Sequence, residues 1–264
     1  MIAARNLTLA AGARTLLRDV TFEIARGELA VLLGPTGVGK TTLLRALAGV
    51  LTPQNGCVAI GAEPIAELHP SQRARLVAHI AAEEIFADRL DVRDVVNTGR
   101  YAHHRWWEWR EEPRDLQAVN DAMRAVGMET FAQRSFDTLS SGERQRVWLA
   151  MALAQEAPVL LLDEPTSHLD IRVAHGILHL LRAQAAAGKT IVCVLHDVNE
   201  AAEFADRVLL LGEERLLADG APDSVFATAA LEAAYGMPME RMRTANGAIR
   251  VFPAAPAAAQ AEQA

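Results

Sequence analysis

A chain of 264 residues, 51% of them apolar, is long enough to bury the core of one large domain, or of a core with a smaller lobe. Its net charge of −7 and pI near 5.6 exclude the basic stripe of a nucleic-acid surface, so no nucleic-acid partner is expected. No apolar run approaches the ~20 residues of a membrane helix, and the start, "MIAARNLTLAAGARTLL", lacks the charged-then-apolar pattern of a secretory signal; a cytoplasmic protein is expected, reaching any membrane through a partner.

Short apolar strands alternate with helices along the chain, the pattern of a mostly parallel sheet covered by helices. "ELAVLLG" (28–34) reads as a buried strand and "KTTLLRALAG" (40–49) as a helix closed by Gly49. "TPQNG" is a turn, followed by the strand "CVAIG", and "LVAHIA" (76–81) is a further strand. From about 88 to 157 the character becomes helical, with "VRDVVNTGRY", "PRDLQAVNDAMRAVG" opened by Pro113, and "RQRVWLAMALAQE". The strand "VLLLD" (159–163) resumes the sheet, a helix over 170–187 ends at Gly188, and "TIVCVLH" follows. "RVLLLGEERLLADG" reads as a hairpin, then a helix near 222–235 and a last short strand finish the fold. The tail "AAPAAAQAEQA" is low-complexity and expected to be disordered. Cys57 and Cys193 sit inside apolar strand-like runs and are expected as buried thiols rather than a disulfide or metal site.

The run Gly34, Pro35, Thr36, Gly37, Val38, Gly39, Lys40, Thr41, Thr42 matches the phosphate-loop pattern and lies between a strand and a helix, the context that pattern requires. Its glycines let backbone N–H groups turn onto nucleotide phosphates, and the following helix adds its positive end. Lys40 would bridge the β- and γ-phosphates and Thr41 would ligate Mg²⁺. Only two of the 26 basic residues are lysines, so a lysine at this position points to a need for a compact ammonium. In "VLLLDEP" an apolar strand ends in Asp163, placed to hold Mg²⁺ through its water shell, and Glu164 follows as a candidate general base for the attacking water. His196 of "VLHD" stands at the end of another strand of the same sheet edge, placed to contact the γ-phosphate.

"LSSGERQR" (139–146) opens a helix about a hundred residues further on. Its serines and Gly142 form either a plain capped helix start or a second N-terminal anion site. A second site makes sense if it serves the nucleotide of another subunit, as in a two-fold dimer sandwiching two ATP molecules.

Together these segments resemble the nucleotide-binding subunits of ABC transporters, over about residues 1–252 and in that family's order. "GPTGVGKTT" resembles the Walker A loop, "LSSGERQR" the ABC signature, "LLLDEP" the Walker B strand and "SHLD" (167–170) the D-loop, and "LHD" carries the switch histidine. The resemblance implies an α/β fold of ABC ATPase type: a P-loop NTPase core, mostly parallel with an antiparallel β subdomain, plus a helical subdomain. The expected domain is 1–252, with the core at 1–87 and 158–252, the helical insert at about 88–157, and a tail at 253–264. It implies a homodimeric ATPase using ATP and Mg²⁺, in which Ser140, Ser141, Gly142 and Glu143 meet the opposite subunit's ATP and Asp170 links the two sites. The implied location is peripheral, on the cytoplasmic side of the inner membrane, with permease subunits as direct partners and a substrate-binding protein as an indirect one.

A finer resemblance, carried by "VNTGRYAHHRWWEW", "DLQAVNDAM", "LAMALAQEAPVLLLDEPTSHLDI" and "VLHDVNEAAEFADRVLLL", is to the ATPases of importers for ferric siderophores, haem and cobalamin. The alternatives are a non-transport ABC ATPase acting in cofactor or Fe–S assembly, and a nucleotide-binding regulator without turnover. The chain departs from the family at several places. Ala82, followed by Glu83 and Glu84, stands where a glutamine is usual; Ser141 and Glu143 replace a glycine and a glutamine; and Ala11 stands where an aromatic stacks on adenine, with Arg14 nearby as a substitute. "HHRWWEWREE" is read as an exposed loop rather than a metal patch, and "AEEIFAD" as either a solvated acidic face or, in preference, part of the permease contact.

Overall fold

Strand β3 (Leu29–Leu33) is apolar throughout because both its faces are covered. Leu29, Val31 and Leu33 enter one core cluster, while Ala30 and Leu32 enter another on the opposite face, as period-2 side-chain alternation requires. The computed structural model describes residues 1–81, 89–104, 112–245 and 247–254. The readings of Ala82, Glu83, Glu84, the run "AEEIFAD", most of "HHRWWEWREE" and the tail beyond Ala254 lie outside the described residues.

On one side β3 pairs in parallel with β8 (Thr190–Val194) and on the other with β9 (Arg207–Gly212). Beyond β8 come β7 (Val159–Leu162) and β6 (Val77–Ile80), also parallel. The hairpin partner β10 (Arg215–Gly220) closes the far edge antiparallel to β9. Helix α1 (Lys40–Leu47) buries Leu43, Leu44 and Leu47 against one face of this six-stranded sheet. Over the same helix lies an antiparallel sheet of β1 (Ile2–Ala11), β2 (Arg14–Ile24), β4 (Asn55–Ile60) and β5 (Glu63–Pro64), in the order β2-β1-β4-β5. Strand boundaries within residues 1–27 do not follow from the sequence, because the pairing of β1 with β2 shifts register between Ala4 and Leu7, and again around Leu9. Asn6, at the first shift, adopts a left-handed φ of 50°. These bulges break the alternation that marks a half-buried strand. Cys193 is buried in the core, but Cys57 is exposed on β4, contrary to the sequence reading. Its neighbours Asn55 and Gly56 are exposed too, so the start of that strand is a solvent edge.

After α2 (Pro70–Leu76) and β6, the chain runs through helices α3 (Val92–Asn97), α4 (Pro113–Ala125) and α5 (Ser141–Ala154) before returning in β7. Their apolar faces meet around Val95, Val96, Val119, Met123, Val147 and Ala150. Gly99 lies so close to α5 that a Cβ there would sit 2.2 Å from the Met151 carbonyl oxygen. Beside it, Arg100 is 2% exposed. Its Nε donates to Asp115 of α4 (2.8 Å), and its Nη1 donates to the Ala154 carbonyl (2.6 Å) and to Glu156 (2.8 Å). One buried guanidinium therefore joins the three helices. The Trp148 ring packs edge-on against Phe136 at 5.0 Å.

Helix α6 (Ile171–Ala186) precedes β8, and α7 (Val198–Phe204) links β8 to β9. The helix expected near 222–235 is two helices, α8 (Pro222–Phe226) and α9 (Ala230–Tyr235). Thr228 separates them: its hydroxyl donates to the Val225 carbonyl (2.7 Å) and accepts from the Ala230 N–H (3.2 Å). The expected last strand is a hairpin of β11 (Met239–Arg243) and β12 (Ile249–Pro253). Arg241 fastens it to α9 through both carboxylate oxygens of Glu232 (2.7 and 2.8 Å).

Candidate nucleotide and catalytic site

The loop from Gly34 to Gly39 leaves the end of β3 and turns into α1. Gly34 adopts φ 142°, and a Cβ on it would lie 2.4 Å from the Leu211 carbonyl oxygen of β9. Only glycine fits so near a neighbouring strand. Lys40, the first residue of α1, is 6% exposed. Its Nζ donates to the carbonyls of Gly34 (2.7 Å) and Pro35 (3.0 Å), so the ammonium is held inside the loop's own curve. Burial pushes the Lys40 ammonium down, opposed by the charges of Glu164 and Asp163. The Tyr235 hydroxyl of α9 is hydrogen-bonded to the Gly34 backbone.

Asp163 and Glu164 follow β7, and His196 follows the adjacent parallel strand β8, so all three stand on the carboxyl edge of the sheet, where open α/β sheets bind ligands. Asp163 is 2% exposed and is hydrogen-bonded to the Thr41 hydroxyl. Its Oδ1 is buried with no hydrogen-bond partner. Burial pushes its carboxyl up, against the Thr41 hydrogen bond. An orphaned carboxylate oxygen beside a hydroxyl is a hard oxygen donor set that suits Mg²⁺. Among the described residues no group of three or more His, Cys, Asp or Glu could hold a metal, so a cation here would draw its other ligands from phosphate and water.

Glu164 has φ 52°, a strained conformation of the kind held in place at functional sites. One carboxylate oxygen lies 2.7 Å from His196 Nε2, and the other accepts from the Ser167 hydroxyl at 3.1 Å. Burial pushes its carboxyl up, but His196, Ser167 and Lys40 together outweigh that and hold it below the usual carboxylate range. It therefore stays ionised, the form in which it can accept a proton.

The residues read as the signature open α5. Ser140 is the N-cap of α5; its hydroxyl accepts from the Glu143 N–H at 3.4 Å, and its own N–H donates to Glu143 Oε2 at 2.8 Å. This is a reciprocal capping box. The Ser140 hydroxyl also donates to the same carboxylate oxygen at 2.9 Å. The Ser140 backbone and hydroxyl hold the Glu143 carboxyl below its usual range. Glu143 thus acts within the helix start. Gly142 faces Val173 and Leu169, around Asp170, which itself caps α6 by accepting from the Val173 N–H at 3.0 Å. Ser141, the first helical residue, is exposed. Ala11 and Arg14 pair with each other at the β1–β2 turn, and Leu16 and Leu17 of β2 touch Gly39; this places Arg14 on a strand that borders the loop.

The sequence model of the family described as "ABC transporter" matches residues 17–167, more than half of the chain. The chain belongs to the ABC transporter family. Among relatives of this ABC ATPase, the ferric enterobactin transport ATP-binding protein FepC of Escherichia coli (strain K12) is 39% identical over 234 residues, covering 88% of this chain and 86% of that protein. The hemin import ATP-binding protein HmuV of Streptomyces coelicolor is 39% identical over 254 residues, covering 96% and 90%. A solved structure of an ABC transporter in an inward-facing conformation superposes with a TM-score of 0.84 at 25% identity, covering 96% of this chain and 97% of that one. The dimeric post-hydrolysis ATP-binding cassette MJ0796, bound to ADP and Pi, gives 0.74 at 25% identity, covering 84% and 99%. The family establishes an ATP-binding, ATP-hydrolysing α/β chain. No helix among the described residues is long and apolar enough to cross a membrane.

Proposed function

We propose that this ABC ATPase works as a homodimer closing on two ATP molecules, docked on membrane permease subunits at the cytoplasmic face. There it drives import of a metal chelate of the siderophore, haem or cobalamin type. The names of FepC and HmuV support that cargo class, and the dimeric cassette MJ0796 supports the pairing. A substrate-binding protein would deliver the cargo outside the cell and never touch this chain.

One observation carries the chemistry: Glu164 paired with His196 at 2.7 Å, on the same sheet edge as Asp163 with its unpartnered oxygen. The loop of Gly34, Pro35, Thr36, Gly37, Val38 and Gly39, with Thr42 in the first turn of α1, would wrap the phosphates with N–H groups. Lys40 would exchange its loop carbonyls for β- and γ-phosphate oxygens. Thr41 directly and Asp163 through water would hold Mg²⁺, which when bound neutralises phosphate charge. Glu164 accepts a proton from the attacking water, and His196 orients that carboxylate and meets the γ-phosphate. Ser140, Ser141, Gly142 and Glu143 would face the partner's ATP, with Asp170 between the two sites. Ser140 to Glu143 open α5, and Asp170 caps α6. Closure of the dimer is then favoured by ATP, and hydrolysis reverses it.

The test uses a tagged Glu164→Gln chain recovered from native membranes in mild detergent. It should retain ATP, hydrolyse it about 10²-fold or more slowly than the parent, and carry a many-helix membrane protein with it. Hydrolysis at the parental rate would remove Glu164 as the base. Retention of soluble partners alone would replace the importer with an assembly factor.

A further inference from the structure

Helix α7 starts two residues after His196 and is anchored by contacts from a distant part of the chain. The Asn199 side-chain amide donates to the Val251 carbonyl at 3.1 Å, and its oxygen accepts from the Val251 N–H at 2.9 Å. A primary amide can serve a peptide group at both its donor and its acceptor in this way, so Asn199 stands in for a neighbouring strand along β12. From β12, Arg250 donates to the Asn199 carbonyl at 3.0 Å and pairs with Glu203 of the same helix. The residue after Asn199, Glu200, accepts from the Thr166 hydroxyl at 3.2 Å. Ser167, next to Thr166, is the residue that donates to Glu164. A seven-residue helix has little intrinsic stability, so its bearing is set by these contacts. Strand β12 therefore holds one side of α7, and the His196–Glu164 pair lies at the start of that helix.

We infer that Asn199 is a positioning residue for ATP hydrolysis: by clamping α7 to Val251 of the C-terminal hairpin, it fixes the bearing of His196 on Glu164. This rests on the roles proposed above for those two residues. It also makes β12 part of the hydrolytic machinery, beyond its contribution of Ile249 and Val251 to the core.

The test compares the full-length parent with Asn199→Ala, Val251→Pro and the double variant, measuring steady-state ATP hydrolysis and thermal unfolding. Val251→Pro deletes the N–H that Asn199 accepts, on a strand whose only ladder partner among the described residues is β11, an edge position where proline is tolerated. Asn199→Ala should lower kcat about tenfold, within the range expected for losing the two hydrogen bonds that hold α7 to Val251. KM for ATP should stay within about twofold, because the phosphate loop is untouched. Val251→Pro should lower kcat in the same direction, and the double variant should be no slower than Asn199→Ala, since both act on one link. A kcat within about twofold of the parent in Asn199→Ala, or losses that multiply in the double variant, would overturn the inference. If Asn199→Ala does not fold, Val251→Pro alone decides by the same split between kcat and KM. Where Glu164→Gln abolishes turnover but Asn199→Ala does not slow it, only this inference fails. A parent chain without hydrolysis fails both.

Discussion

Replacing Gly34 by alanine should damage the protein far more than replacing Gly37, although both lie in the same loop and have positive φ, 142° and 80°. At Gly37 an added Cβ meets nothing within 4 Å, so the cost is the backbone penalty alone, about 1–2 kcal/mol. At Gly34 the same Cβ would lie 2.4 Å from the Leu211 carbonyl oxygen and 3.2 Å from Val38 Cγ1. Leu211 belongs to β9, hydrogen-bonded to β3 immediately before the loop, so relief requires two paired strands to part by about 1 Å. Overpacking of about 1–3 kcal/mol then adds to conformational strain of about 1–3 kcal/mol, a total of about 2–6 kcal/mol. In a chain of this size that lowers Tm by about 5–20 °C, against a few degrees for Gly37→Ala. Calorimetric unfolding of the two variants beside the parent reads this directly, and equilibrium ATP binding shows the loop's response. Equal melting temperatures for the two variants would refute the steric reasoning and leave φ alone as the cause.

Arg100→Met should cost about 3–5 kcal/mol by leaving the Asp115 carboxylate buried without its main partner; adding Asp115→Asn should recover much of that loss, and urea unfolding of the single and double variants tests both. The Arg241–Glu232 pair should make stability pH-dependent. The Arg241 hydrogen bonds hold the folded-state carboxyl below its usual range, so the contribution is present above the unfolded carboxylate range and is lost as pH falls through the lower folded value. Melting curves across that window should lose this component in Arg241→Met, and an identical pH dependence in the variant would show that the pair does not supply it.

The site was largely legible in the sequence wherever function depends on contiguous residues. The phosphate loop, Asp163, Glu164 and His196 each stand at the end of an apolar strand, and parallel strand order brings those ends to one edge. Partners far apart in the chain left no such trace. Asn199 and Val251 are 52 residues apart, and nothing in "DVNEAAEF" distinguishes an asparagine that binds a strand from one that faces solvent. Arg100 reads as one arginine among 24 until three helices close over it. The first sheet was obscured because bulges at Asn6 and Leu9 break its alternation, and Cys57 looked internal because an apolar run was read without its solvent-facing start. The break between α8 and α9 turns on one threonine hydroxyl in a run of helix-forming alanines.

The excursion through α3, α4 and α5 leaves the sheet at β6 and re-enters it at β7, and these strands are immediate neighbours, Ala78 lying beside Leu160. Both feet of this long detour therefore stand one strand spacing apart. Its length can drift with little thermodynamic consequence, since closing a longer loop costs only logarithmically more, and the registry of the remaining strands is indifferent to what grows between the feet. The detour also leans on the core beyond its feet: Gly142 faces Val173 and Leu169, and the Gln155 amide donates to the Ala74 and Val77 carbonyls. A shift of its helices is therefore felt at α6 as well as at the second foot, the strand that leads into Asp163 and Glu164.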